Sequence, residues 1–308
     1  MNKARSGVAL ALTCLLALAA ACGGDPAVEV TVAGGPTDGF PRQVGGTLIP
    51  AAPQRIVSAS ASHTEILYAL GAADWVVATD QFSNYPPETA ETTKVDAFNL
   101  GVETVAAFAP DLVVLSYDPG DLRSGLAALG IPTLLFGPPL TLEDVYAQVR
   151  DLGAATGLTA EAEALVAAMA NEVGRIVAGV PARGEPLTYY YELDPTLYSL
   201  TSSTFVGNLL GLLGLENIAD AADAAGTGYP QLSAEYILAA DPDFIFLADT
   251  RCCGQSPEAV AARPGWDTMA AVTGGRVVVL DDDLASRWGP RLVDLLDLVA
   301  DAVSEAAG

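Results

Sequence analysis

Residues 159–180 read as one long helix, and that helix divides the chain. Its large apolar residues Leu165, Val166, Met169, Val173, Ile176, Val177 and Val180 recur at gaps of one, three and four, a helical period and not strand alternation. Thr159 is placed to cap the first turn, Glu161 and Glu163 sit where the helix dipole favours negative charge, and Gly179 and Pro181 end it. At 1.5 Å per residue such a rod spans roughly 30 Å, about the width of a small domain.

Either side of the rod carries one copy of the same unit. Upstream, Glu103 opens a short apolar helix, Pro110 and Asp111 follow, and residues 112–115 are a fully apolar strand. Downstream, Glu235, Pro242, Asp243 and residues 244–247 repeat the order, and Pro110 to Pro242 is a step of 132 residues. Strands alternate with helices throughout, which implies parallel sheets. The predicted fold class is therefore α/β: two Rossmann-like lobes with parallel sheets, joined by one long backbone helix. The boundaries place an amino-terminal lobe at residues 53–156, the linking helix at 157–182 and a carboxyl-terminal lobe at 183–308.

The aromatic residues fall in a pattern. Tyr85, Phe98, Tyr117, Tyr198, Tyr229 and Trp288 lie in loops, most of them just beyond a strand's carboxyl end, where open α/β sheets bind ligands. Residues 80–87 and 94–99 read as two such loops. Rims from both halves, facing each other, would form an aromatic-lined cleft.

The first 21 residues read as a signal peptide: Lys3 and Arg5 precede an apolar run too short to span a bilayer comfortably. The run ends in small residues before Cys22, which resembles a bacterial lipoprotein signal with lipid on Cys22. Cleavage by an ordinary signal peptidase after Ala21 is the competing reading. Either way the product is exported. Residues 22–52 read as a tether, with a short hairpin near 40–49. Cys14 leaves with the signal, so Cys252 and Cys253 remain, adjacent in sequence; a vicinal disulfide and a pair of free thiols are both open.

A formal charge of −24 with only 14 Lys plus Arg argues against nucleic acid and against a polybasic membrane contact. Catalytic groups are sparse. His63 is the only histidine, in a Ser62-to-Glu65 segment that reads as a helix-capping box. No nucleophile elbow or phosphate-cradling loop is present. Asp281, Asp282 and Asp283 leave one enzymatic alternative, an exported metal-dependent α/β enzyme.

Several segments together resemble a known family. Arg55-Ile56-Val57-Ser58, Thr64-Glu65-Ile66-Leu67, Ala69-Leu70-Gly71, Asn84-Tyr85-Pro86-Pro87, Pro110-Asp111-Leu112-Val113 and Trp288-Gly289-Pro290-Arg291 look like the helical-backbone substrate-binding proteins of ABC importers. The likeness runs from about residue 53 to the carboxyl terminus and is nearest to the cobalamin-binding members. It implies the class III periplasmic-binding-protein fold, no catalysis and no resident cofactor. It implies a monomer that carries a metal-chelate ligand to a membrane permease: a corrinoid first, a ferric siderophore second, haem third. It implies that Glu103 and Glu235 dock on the permease, one per lobe. Tyr85, Phe98, Tyr117 and Tyr229 match ligand-contacting aromatics, and Asp283 with Arg287 a charged pair near the ligand. Phe98 and Tyr117 stand where the cobalamin binders have tryptophan, and the cysteine pair has no counterpart there.

Overall fold

The computed structural model describes residues 39–306. The signal peptide, Cys14, Cys22 and the first part of the tether lie outside the described residues. The described chain begins with an antiparallel hairpin, β1 (Arg42–Val44) and β2 (Thr47–Ile49). Val44 and Ile49 are buried, and Arg42 donates to the Ala154 carbonyl at 3.0 Å. A tether running to residue 52 is thus too long: the hairpin has apolar side chains to bury and joins the folded body.

The first lobe contains β3 (Ile56–Ala59), α1 (Ala61–Ala69), β4 (Val76–Asp80), β5 (Thr93–Val95), α2 (Val102–Ala106), β6 (Leu112–Leu115), α3 (Leu122–Ala128), β7 (Thr133–Leu135) and α4 (Leu142–Thr156). After α5 (Thr159–Gly179) come β8 (Leu187–Glu192), α6 (Phe205–Gly211), β9 (Leu215–Asn217), α7 (Ala234–Ala240), β10 (Phe244–Leu247), α8 (Thr250–Cys253), α9 (Pro257–Ala261), α10 (Ala270–Thr273), β11 (Val277–Val279), α11 (Asp282–Ala285) and α12 (Leu292–Glu305).

Both sheets are parallel, ordered β5-β4-β3-β6-β7 and β11-β10-β8-β9. With the edge strand β5 set aside, each lobe has one arrangement: second strand, first, third, fourth. The Pro-Asp repeat has a physical cause. Asp111 accepts the Gln54 and Arg55 amides at 2.8 and 2.9 Å, and Asp243 accepts the Thr188 amide at 2.9 Å. Each Asp therefore fixes the amino end of its lobe's central strand. The residue before each Pro is left-handed, Ala109 at φ 48° and Asp241 at φ 43°, which turns the helix sharply into the strand.

α5 buries Ala162, Val166, Met169, Val173 and Ile176 and packs on α4 from one lobe and α12 from the other. It lies in a single apolar core shared by both lobes, while each sheet's other face has its own smaller core. Thr159 does not cap it. Leu158 holds that position without a side-chain bond, because Gly157 at φ 86° carries the chain from α4 straight into α5. The Thr159 hydroxyl accepts from Arg42 of the hairpin instead, at 3.0 Å.

The capping box at the first helix is also corrected. Ser60 is the N-cap of α1, and Glu65 reaches across to the other lobe and not back to its own backbone. Thr141 and Asp144 do form a capping box at α4. Lys94 and Val95, at the start of the expected loop 94–99, belong to an edge strand, Thr93–Val95.

Candidate functional site

Parallel strands deliver their following loops to one rim, and in the first lobe that rim is aromatic. The loop after β4 carries Phe82, the turn after β5 carries Phe98, and the loop after β6 carries Ser116 and Tyr117. The Phe82 and Phe98 rings are 6.1 Å apart, and Phe98 and Tyr117 6.3 Å. All three stay more than half exposed, at 52%, 61% and 56%. Contiguous exposed rings are costly in water, which makes this rim the candidate binding surface. Carboxylates fix the loops that carry them. Asp80 accepts the Phe82 amide at 2.8 Å, and Asp96 accepts the Phe98 amide at 3.0 Å. Bonds from the Asn99 side chain and then the Phe98 amide hold the Asp96 carboxyl below its ordinary range.

These rings line a cavity of about 310 Å³ with Asp283, Arg287 and Trp288 of the second lobe. Of the expected ligand residues, the structure brings together Phe98, Tyr117, Asp283, Arg287 and Trp288. Phe82 was not anticipated; its signal was its place two residues past Asp80, in the same strand-end loop as Tyr85. Tyr85 itself lines a separate groove of about 580 Å³, and its ring lies 4.0 Å from the Arg291 guanidinium carbon. Tyr198 and Tyr229 are exposed on the second lobe, where Tyr198 bridges to Gln231, and neither lines the cavity of Phe98 and Tyr117.

The charged residues are less available than their sequence positions suggest. Arg287 is buried, at 6% exposure. Its Nη1 donates to Glu65 at 3.0 Å and Asn84 at 2.9 Å; its Nη2 donates to the Phe82 carbonyl and to Asp283, both at 2.7 Å. Arg291 donates to Glu65 at 2.6 Å, and Arg251 to Asp283 at 2.9 Å. Trp288 is half-buried, with its indole N–H on Gln148 Oε1 at 3.0 Å.

His63 is fully buried behind the cavity, stacked on Phe136 at 4.6 Å. Its Nε2 meets the Gln148 oxygen at 3.0 Å, an amide oriented by its own bond to the Gly137 carbonyl. That assigns the ring proton to Nε2 and leaves Nδ1 to accept the Ser60 hydroxyl at 2.6 Å. Burial lowers the imidazole pKa to about 4, so the ring is neutral and structural.

The three consecutive aspartates diverge. Asp281 caps α11 through the Asp283 and Leu284 amides. Asp282 accepts the Thr250, Arg251 and Cys252 amides, within 2.9–3.1 Å. Burial alone would raise its pKa, but those amides and the Thr250 hydroxyl lower it overall. Asp283 faces Arg251 and Arg287. Among the described residues no group of three or more His, Cys, Asp or Glu could hold a metal ion. The carboxylates on which the enzymatic alternative rested all meet Arg251: its amide donates to Asp282 at 3.0 Å, and its guanidinium donates to Asp283 at 2.9 Å and lies 3.5 Å from Asp281.

Glu103 and Glu235 are both exposed. Cys252 and Cys253 are exposed on α8 with their sulfurs paired.

The family model for periplasmic binding proteins matches residues 56–284. The chain belongs to the periplasmic binding protein family. This binding protein is 31% identical over 314 residues to an uncharacterized ABC transporter substrate-binding lipoprotein, YvrC, of Bacillus subtilis, covering 98% of each chain. It is 28% identical over 261 residues to a cobalamin-binding protein of Halobacterium salinarum, covering 81% of this chain and 69% of that one. It superposes at a TM-score of 0.72 and 25% identity on a possible iron-binding (periplasmic solute-binding) protein from Staphylococcus epidermidis, covering 82% of this chain and 99% of the other. Its relatives are solute-binding proteins, and its two sheets and long helices are theirs.

Proposed function

We propose that this protein captures a corrinoid in the cleft between its lobes and delivers it to the permease of an ABC importer. The exposed ring set Phe82, Phe98 and Tyr117, facing the second lobe across one cavity, carries the reading. Such a wall suits one face of a large, flat, weakly charged guest, which a cavity of about 310 Å³ covers only in part. A ferric siderophore of high negative charge is disfavoured. Arg287 lines the cavity, and it and its neighbours Arg251 and Arg291 are each already paired with carboxylate. Haem becomes the second reading, because Tyr117 offers a phenol in the cavity.

Lipid on Cys22 would hold the protein at the membrane, and Glu103 and Glu235 would set its register on the permease through charge-assisted bonds to arginine. The protein acts as a monomer. Among the described residues no helix is long and apolar enough to cross a membrane.

The test is a titration of the purified protein with cyanocobalamin, haemin, a ferric catecholate and a ferric hydroxamate, followed by tryptophan fluorescence. Trp288, at the cavity, is the reporter. Saturable quenching by cyanocobalamin is expected, with the ligand recovered unchanged. If none of the four saturates, the reading is wrong.

A further inference from the structure

Glu65 belongs to α1 of the first lobe, is only 3% exposed, and lines the Tyr85 groove but not the cavity of Phe82, Phe98 and Tyr117. Two arginines of the second lobe converge on it. Arg287 meets Oε1 at 3.0 Å; Arg291 meets Oε1 at 2.6 Å and Oε2 at 3.1 Å. The same Arg287 guanidinium holds the Phe82 carbonyl from one cleft wall and the Asp283 carboxylate from the other. Asn84 closes the ring by donating to Asp283 at 2.8 Å and accepting from Arg287. The backbones approach closely here too: a β-carbon on Gly289 would lie 2.8 Å from Glu65 Oε2 and 3.3 Å from the Ser62 carbonyl.

We propose that Glu65 is a positioning residue for the cleft: it holds Arg287 where one guanidinium fixes the Phe82 wall of the first lobe against the Asp283 wall of the second. The cleft is then formed before the ligand arrives. Opening it here would strip Arg287 of its buried partners, and a buried polar group left unpaired is costly. A buried charge with one partner removed is costlier still, so the lobes stay closed at this edge. A site ordered in advance loses less freedom on binding, which raises affinity without any contact from Glu65 itself. Arg287, matched by resemblance to a ligand contact, has both Nη atoms committed to protein and acts in the same way.

The affinity arm of the test rests on the ligand reading above; the distance arm does not. Nitroxide labels go on Ala107→Cys and Ala239→Cys, exposed residues at equivalent repeat positions in the two lobes, with Cys14→Ser and Cys22→Ser in the full chain. Pulsed electron resonance then reads the interlobe distance, and titration with cyanocobalamin and haemin reads affinity. Two variants are compared. Glu65→Leu with Arg287→Met removes both charges while keeping bulk, a change that buried ion pairs often tolerate. Gly289→Ala keeps every charge but pushes on the Glu65 carboxylate.

Without ligand, one narrow distance is expected in the parent, and a broadened or second, longer distance in both variants. Affinity for whichever probe the parent binds falls at least tenfold in the double variant, while its thermal unfolding stays cooperative. If the double variant does not fold, Gly289→Ala decides, by the same distance readout. Distance distributions that superimpose on the parent's overturn the proposal, and so does broadening with affinity unchanged. A parent that binds neither probe overturns the ligand reading alone, and the distances still decide this one.

Discussion

Glu103 and Glu235 occupy the same place in two copies of one unit. Each is the second residue of its helix, α2 and α7, and each is exposed with no hydrogen bond or ion pair to its carboxylate among the described residues. α2 follows β5 by the turn that carries Phe98, and α7 follows β9 after the loop that carries Tyr229. Charge reversal of the pair, Glu103→Arg with Glu235→Arg, therefore breaks no hydrogen bond or ion pair and loses only the favourable first-turn charge on each helix dipole. Stability should fall by about 0.5–2 kcal/mol in all, leaving the fold intact. Ligand affinity should be unchanged, while uptake in cells falls to the level of a strain lacking the protein. Normal uptake by the double variant would refute the docking role.

The split between Phe82 and Tyr85 gives a second expectation. Phe82 shares a cavity with Phe98 and Tyr117, whereas Tyr85 lies in another groove beside Arg291. Phe82→Ala should weaken ligand binding by about tenfold to a hundredfold, or roughly 1.4–2.8 kcal/mol. Tyr85→Ala should cost less than about threefold. Calorimetric titration of both variants measures this, and the reverse order of effects would show that the ligand sits in the other groove.

That pair also shows where sequence reading stops. The rod α5 was legible because seven apolar residues keep one period, and the lobes because Pro-Asp serves the same structural need twice. Local pattern could not rank Phe82 and Tyr85, since both lie in one loop and only tertiary contacts decide which ring meets the cavity. Glu65 imitated a capping-box residue because spacing was the only information; its partners, Arg287 and Arg291, are more than 200 residues away. β9 (Leu215–Asn217) is three residues long with Glu216 at its centre, too short for any period to register.

Gly153 of α4 packs directly on Ala162 of α5. A β-carbon there would lie 2.3 Å from the Ala162 β-carbon and 2.9 Å from the Leu158 carbonyl, a backbone atom with little room to yield. Gly153→Ala should destabilise by about 1–3 kcal/mol through overpacking, despite alanine's better helix propensity. Ala162→Gly in the same chain should restore part of the loss. Urea unfolding of the single and double variants measures both. A Gly153→Ala protein as stable as the parent would mean that the two helices separate freely.

Two buried groups that bear no part in the cleft oppose each other in acid. Asp249 is fully buried with both carboxylate oxygens unpartnered, beside Glu192, which is itself buried against Arg263. Burial first, and then the Glu192 charge, raise its pKa from 3.8 to about 7. The folded state holds this proton where the unfolded chain has lost it, so stability falls as pH rises from about 4 to about 7. His63 does the reverse. Its pKa is lowered from 6.5 to about 4, so the unfolded chain takes up a proton that the fold refuses, and stability falls as pH drops across that window. Each slope is about 1.4 kcal/mol per pH unit, and the two nearly cancel between pH 4 and 6.5. Asp249→Asn should unmask the histidine. The variant is expected to exceed the parent in stability at pH 8, where the parent buries an unpaired charge, and to lose that advantage steadily on acidification. His63→Gln should show a difference of opposite slope. Urea midpoints from pH 4 to 8 give both difference curves, and a flat one for Asp249→Asn would mean that Asp249 is ionised in the fold throughout.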